Sequence, residues 1–272
     1  MDNLRLNSSS QANPLQQNTA ITNHNPVRHR DAITAPSAAS GGVPEPTPAY
    51  LQQSSFPPFP LPSPQPILVV IDLNGTLLHR PRPSSPTHFI ERPGASSFLR
   101  HCVAHHHVVV WSSAQAPNVE RMCAQLLPPD ILSRVVAVWG RDRFGLTTAD
   151  YRRRTQCYKR LTRLWADPGV ALSHPIPACA WSQANTVLID DSAEKARSEP
   201  YNAITVPEFG GGARGNSAVE PEDEVLSRVE AYLDTLTWQM DVSAYIRRNP
   251  FTMETEEETA SPMAQEEEGE AE

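Results

Sequence analysis

The sequence predicts an α/β fold: a parallel sheet with helices on both faces, a small insert, and a disordered tail at each end. Short apolar runs alternate with segments of helical periodicity, the pattern of strands joined through crossover helices. Three of those runs end in polar residues, at Asp72, Ser112 and Asp190-Asp191, where an open α/β sheet gathers its ligands. Composition also shifts toward both ends of the 272 residues. Of the 27 prolines, 12 precede Ile67, amid Asn, Gln, Ser and Ala, and such a segment has too little apolar surface to offset its ordering entropy. From Met253 to Glu272 there are nine Glu and no Lys or Arg. The predicted division is a disordered region over 1–65, an α/β domain over 66–248 and a disordered acidic tail over 249–272.

Taken in order, Phe56-Pro-Pro-Phe-Pro-Leu-Pro reads as a polyproline II linker. Ile67–Ile71 is an unbroken β-branched and Leu run, the mark of a strand covered on both faces. Asn74-Gly75 behind it also fits a tight hairpin turn. Arg92-Pro93-Gly94 opens a short helix whose Phe98 and Leu99 face the sheet, and His107–Trp111 is the second strand. Pro117 starts a helix to about Leu127, with Val119, Met122, Cys123 and Leu126 on one face, and Pro128-Pro129 ends it. Val135–Trp139 is a third strand and Gly140–Asp150 a loop. Tyr151–Trp165 is predicted helical with Tyr158, Leu161 and Leu164 inward, which puts Lys159 on a helix. Thr186–Ile189 and Ala203–Val206 are the last strands, and Glu222 to about Met240 is a closing amphipathic helix.

Several function classes are disfavoured. With the nine tail glutamates set apart from the net charge of −8, the remainder is near +1, so bulk charge gives no case for direct nucleic-acid binding. Cys102, Cys123, Cys157 and Cys179 are widely spaced and suit single thiols in a reducing compartment. No run approaches the roughly 20 apolar residues that span a bilayer, so no membrane span is expected. Arg5, Arg28 and Arg30 among Ser and Thr are a weak sign of a mitochondrial presequence. His105-His106-His107 receives no metal, because consecutive extended residues point to opposite faces and no second cluster completes a set.

The chemistry gathers around Asp72. A carboxylate at the tip of a buried strand is costly unless it is used. Three carboxylates converging in one crevice repel one another unless a cation joins them, and an oxygen-rich set of this kind suits Mg²⁺ working beside phosphate. With Asp72 as nucleophile, a phosphoryl group can be taken up as an acyl phosphate. Lys159 and Mg²⁺ then neutralise charge, Ser112 donates to a phosphoryl oxygen, and the N–H groups of the Leu73–Gly75 turn form an anion-binding concavity.

Five motifs in order resemble the haloacid dehalogenase superfamily, and within it the small phosphatases that act on the C-terminal repeats of RNA polymerase II, the NLI-interacting-factor-like domain. These are Asp72-Leu-Asn74-Gly75-Thr76 for Asp-x-Asp-x-Thr, Arg92-Pro93-Gly94, Trp111-Ser112, Lys159-Arg-Leu161 for Lys-x-Leu, and Asp190-Asp191. The resemblance runs from Pro66 to Phe209 and on to the closing helix. It implies a haloacid-dehalogenase-like (Rossmannoid) fold and an Mg²⁺-dependent phosphoprotein (Ser/Thr) phosphatase, located in the nucleus or cytoplasm. It further implies metal ligation by Asp72, Asp191 and the Asn74 main-chain carbonyl, with Asp190 as the partner of Lys159. The family carries a second Asp where Asn74 stands. An amide can neither protonate a leaving alkoxide nor deprotonate a water, and loss of such general acid–base catalysis typically costs about 10²–10⁴ in rate.

That departure opens an alternative, since the same domain occurs in the presequence-receptor subunit of the mitochondrial inner-membrane translocase, a binding protein. On that reading the partners are translocase subunits and the location is an inner-membrane complex. Retention of Asp72, Lys159, Asp190 and Asp191 favours catalysis. Substrate choice in the superfamily depends on inserts, here Leu78–His88 and Gly140–Asp150; Arg141 and Arg143 in the second read first as solvated loop arginines, with contact to an acidic substrate as the alternative.

Overall fold

Side chains along β1 (Leu68–Ile71) alternate between two faces, and both faces are covered: Val69 and Ile71 enter one apolar cluster, Leu68 and Val70 another. The computed structural model describes residues 32–82, 85, 87–211 and 222–253, with Glu222 and Asp223 described in backbone only. Residues 1–31 and 254–272, most of the two predicted tails, lie outside that range.

The other strands are β2 (Leu78–His79), β3 (Ile90–Glu91), β4 (His107–Trp111), β5 (Ala137–Trp139), β6 (Thr186–Asp190) and β7 (Ala203–Thr205). The helices are α1 (Pro48–Ser54), α2 (Ala95–His105), α3 (Ala116–Leu126), α4 (Pro129–Leu132), α5 (Thr148–Arg152), α6 (Leu161–Trp165), α7 (Pro168–Ala171), α8 (Glu222–Thr237) and α9 (Val242–Arg248). Five strands form one sheet in the order β5-β4-β1-β6-β7, every neighbouring pair parallel. The chain leaves central β1 for β4 and β5 on one side, then returns to β6 and β7 on the other, so the crevice beyond the carboxyl end of β1 is a topological switch point. The fold is the predicted parallel sheet with helices packed on both faces. The small insert is real as well, an antiparallel pair of β2 and β3 beside that crevice.

Each face of the sheet has its own core. One gathers Val108, Val110, Val187 and Ile189 against Phe98 and Leu99 of α2, Val119 and Met122 of α3, and Val229 and Leu233 of α8. The other packs Val109, Trp111 and Leu188 against Phe144, Leu161, Leu164 and Trp181.

Three expectations are corrected. Residues 32–65 are not a structureless leader but a strap bound to the domain. Thr34 N–H donates to Arg154 O and Gln156 N–H to Thr34 O, at 3.0 and 2.8 Å. The Arg160 guanidinium donates to the carbonyls of Ser40, Gly41 and Gly42. Tyr50 of α1 is buried, donating its hydroxyl to Asn202 Oδ1 at 3.0 Å and accepting Tyr201 N–H at 2.8 Å. The attachment is made largely of polar and main-chain groups, which an apolar-periodicity argument does not register. Second, the helix predicted over 151–165 is two short helices, α5 and α6, around a non-helical stretch. The carbonyls of Tyr151, Arg153 and Thr155 accept from Arg141, and Thr155 pairs with Thr34, so they are withdrawn from a helical ladder. Third, the closing helix stops at Thr237, and a separate α9 starts at Asp241, whose carboxylate accepts from Ser243 and Ala244 N–H.

Candidate active site

Asp72 is the first residue beyond β1, and its N–H still belongs to the sheet, donating to Ile189 O at 3.0 Å. Strand geometry therefore fixes the carboxylate at the switch point, 1% exposed. Gly75 turns the chain back with φ of 85°, a left-handed conformation that disfavours other residues. Space forbids them too, since a Cβ at position 75 would stand 2.5 Å from Asp191 Oδ2. The turn thus brings the Asp72 loop against the loop after β6, and Thr76 ties the two, its Oγ1 accepting from Asp191 N–H at 3.1 Å.

Lys159, 0% exposed, lies just before α6 rather than on a helix. Its N–H donates to Lys195 O at 2.7 Å, and its Nζ stands 2.9 Å from Asp72 Oδ1 and 2.6 Å from Asp190 Oδ2. The contact with Oδ1 lacks hydrogen-bond alignment, so among the described residues this buried oxygen is ion-paired but accepts no hydrogen bond. Asp190 in turn accepts from Ser192 N–H at 3.0 Å.

A second ammonium, Lys195, is the residue that motif reading missed. Its Nζ donates to Asp72 Oδ2 at 2.9 Å, Asp190 Oδ1 at 2.8 Å and Asp191 Oδ1 at 3.1 Å. Burial works to lower its pKa, but the three surrounding carboxylates outweigh that and hold it above the ordinary lysine range. The missed signal was spacing. Lys195 follows Asp191 by four residues across a short 3₁₀ turn, Ala193–Ala196, which folds it back onto the carboxylates.

The other predicted residues are distributed unevenly. Ser112 is buried at the end of β4, next to β1, its N–H donating to Trp139 O and its Oγ accepting from Ala114 N–H at 3.4 Å. The Asn74 side chain turns outward, its Oδ1 accepting from Arg80 Nε at 2.7 Å. Arg80 was not anticipated either; burial lowers its pKa while Asp72 opposes the shift. In the Leu73–Gly75 turn, Gly75 N–H donates to Leu78 O at 2.9 Å, so the expected concavity narrows to the Leu73 and Asn74 N–H groups, which donate no hydrogen bond among the described residues. Arg92 is structural, buried and donating to Pro207 O with its guanidinium over the Phe209 ring. Arg141 is neither merely solvated nor turned to a substrate: its guanidinium serves main-chain carbonyls and Cys157 Sγ. Arg143 stacks on Trp139 and pairs with Asp142 and Asp167.

One carboxylate oxygen from each of Asp72, Asp190 and Asp191 lies within 4.8 Å of the other two. An all-oxygen donor set beside a glycine whose Cβ would crowd Asp191 suits a small hard cation such as Mg²⁺. Such an ion shares its carboxylates with Lys195.

Several known proteins resemble this chain. A fission yeast protein (Schizosaccharomyces pombe) described as an uncharacterized FCP1 homology domain-containing protein is 34% identical over 218 residues, 77% of this chain and 86% of that one. Two structures of Fcp1, named as an RNA polymerase II CTD phosphatase, are also similar. The fission yeast protein bound to beryllium fluoride has 14% identity and a TM-score of 0.34 over 67% of this chain and 52% of that one. The second has 15% identity and a TM-score of 0.37 over 76% and 57%. This chain thus spans little more than half the length of either Fcp1 structure. The NLI interacting factor-like phosphatase family matches residues 67–243, which encloses Asp72, Lys159, Asp190, Asp191 and Lys195, and the chain belongs to that family.

Proposed function

We propose that this protein is an Mg²⁺-dependent phosphatase that removes phosphate from Ser or Thr side chains of a protein through an aspartyl-phosphate on Asp72, slowed by Asn74. The observation that carries this reading is the buried convergence of Lys159 and Lys195 on Asp72 and Asp190, which sets two cations against a strand-end carboxylate at the switch point. Asp72 Oδ1, which accepts no hydrogen bond, keeps lone pairs available for attack on phosphorus.

In the first step a bond forms from Asp72 Oδ1 to phosphorus as the ester P–O bond breaks. Lys159, the Leu73 and Asn74 N–H groups and the Ser112 hydroxyl take up charge on the phosphoryl oxygens. Asp72, Asp191 and the Asn74 carbonyl would hold Mg²⁺, which when bound would supply further neutralisation of that charge. The departing alkoxide draws its proton from solvent, because the Asn74 amide is not an acid and its oxygen is engaged with Arg80. Water then cleaves the acyl phosphate without a base at position 74. The substrate class rests on the family and on the activity for which Fcp1 is named.

The test is hydrolysis of an aryl phosphate by the purified chain. Turnover should require Mg²⁺ and vanish in Asp72→Asn and Asp191→Ala. Equal rates with and without Mg²⁺, or an active Asp72→Asn variant, would overturn the reading.

A further inference from the structure

The histidines next to β4 have a setting that their sequence does not reveal. His106 caps α2, its N–H donating to Cys102 O at 2.8 Å from an extended backbone, φ −133° and ψ 169°. The residue is 8% exposed, yet among the described residues both ring nitrogens lack a hydrogen-bond partner. Leaving buried polar atoms unsatisfied is costly, and each such case calls for an explanation. His101, one turn back on α2, also has a buried, unpartnered Nε2. His107 turns to the other face of the strand, where its ring lies against Trp181 at 5.1 Å.

The missing third group comes from a helix remote in sequence. Asp234 of α8 lies beside the two rings, and one ligand atom from each of His101, His106 and Asp234 falls within 4.8 Å of the others. We propose that His101, His106 and Asp234 form a binding site for a divalent transition metal, with Zn²⁺ as the ion of choice, that ties α2 to α8.

Two imidazoles and a carboxylate are an established protein donor set for zinc, with water as the fourth ligand. Tetrahedral ligands at about 2.0–2.2 Å from the metal stand about 3.4 Å apart. The exposed Asp234 carboxylate has the rotational freedom to close on the rings. The place is separate from the active site. His106 precedes β4 and Ser112 follows it, so the whole strand, about 20 Å from one residue to the other, separates them, and the metal's role there is to clamp the helices and not to act on phosphate.

The test is Zn²⁺ binding to the tag-free full chain, followed by competition with a chromophoric chelator and by thermal unfolding. Asp234→Ala is the principal variant because Asp234 is exposed, His101→Ala the second, and Asp191→Ala the control for zinc held at the active site. The expected result is one Zn²⁺ retained in Asp191→Ala, a rise in Tm with zinc, and a loss of affinity of tenfold or more in both Asp234→Ala and His101→Ala. Tetrahedral Co²⁺ absorption should follow the same pattern. Unchanged zinc affinity in Asp234→Ala and His101→Ala, or loss of all zinc in Asp191→Ala alone, would overturn the proposal.

Discussion

Asn74 is the residue at which catalysis is most exposed to test. An aspartate there would supply the proton for the leaving oxygen and accept one from the attacking water, provided it breaks from Arg80 as Asn74 now does not. Asn74→Asp is therefore expected to raise turnover of an alkyl phosphate by at least tenfold, about 1.4 kcal/mol of barrier, as measured by phosphate release. Unchanged turnover in a folded, Mg²⁺-binding variant would remove proton transfer as the limiting defect. Lys195 carries a second prediction. A cation within 3.1 Å of all three carboxylates competes with Mg²⁺ for the same charge. Lys195→Met should bind Mg²⁺ at least tenfold more tightly in calorimetry, whereas weaker binding would mean that Lys195 helps hold the site. Asp72, Lys159, Asp190 and Asp191 were legible because strand ends and motif spacing mark them. Lys195, Arg80 and Asp234 were not, since each reaches its partners through a turn or a helix contact that periodicity does not encode.

At the scale of elements, the strands were the readable part and the connections were not. Buried β-branched runs such as Val69–Ile71 and Val108–Val110 have one stable solution, a strand covered on two faces. The segment around Lys159 reads as amphipathic helix, but Arg141 and the strap take its carbonyls. The strap itself was read as a leader because it lacks apolar periodicity. Its anchor is Tyr50, buried with both hydroxyl bonds made. Tyr50→Ala is expected to cost about 3 kcal/mol in urea unfolding, from lost packing and an unsatisfied Asn202, and to open residues 32–65 to protease. A change below about 0.5 kcal/mol would mean that the strap adds nothing to the domain. Asp150 holds the other end. Hydrogen bonds from Ser37 and Ser40 lower its pKa to about 2, so this hold is complete above the ordinary Asp range and weakens only as pH falls toward 2.

Over the whole molecule, a single topological fact organises the chemistry. Because β1 lies between β4 and β6, the ends of three neighbouring strands bring Asp72, Ser112 and Asp190 to one crevice, and the insert of β2 and β3 stands beside it. The same sheet keeps the His101, His106 and Asp234 cluster at its opposite end, so the two groups of polar residues act independently. Among the described residues no helix is long and apolar enough to cross a membrane.

The central claim is that Asp72 takes the phosphoryl group and that Asn74 slows its release. An aryl leaving group departs without protonation, so formation of the acyl phosphate is fast with such a substrate while its hydrolysis, lacking a base, is slow. Rapid quench of the full chain with Mg²⁺ and an aryl phosphate should therefore give a burst of phenolate close to one equivalent per site. Phosphate should be found covalently on Asp72 by mass spectrometry of the acid-quenched protein, and it should be absent in Asp72→Asn. No burst and no phosphoryl adduct on Asp72, in a chain that still turns over the substrate, would contradict the account.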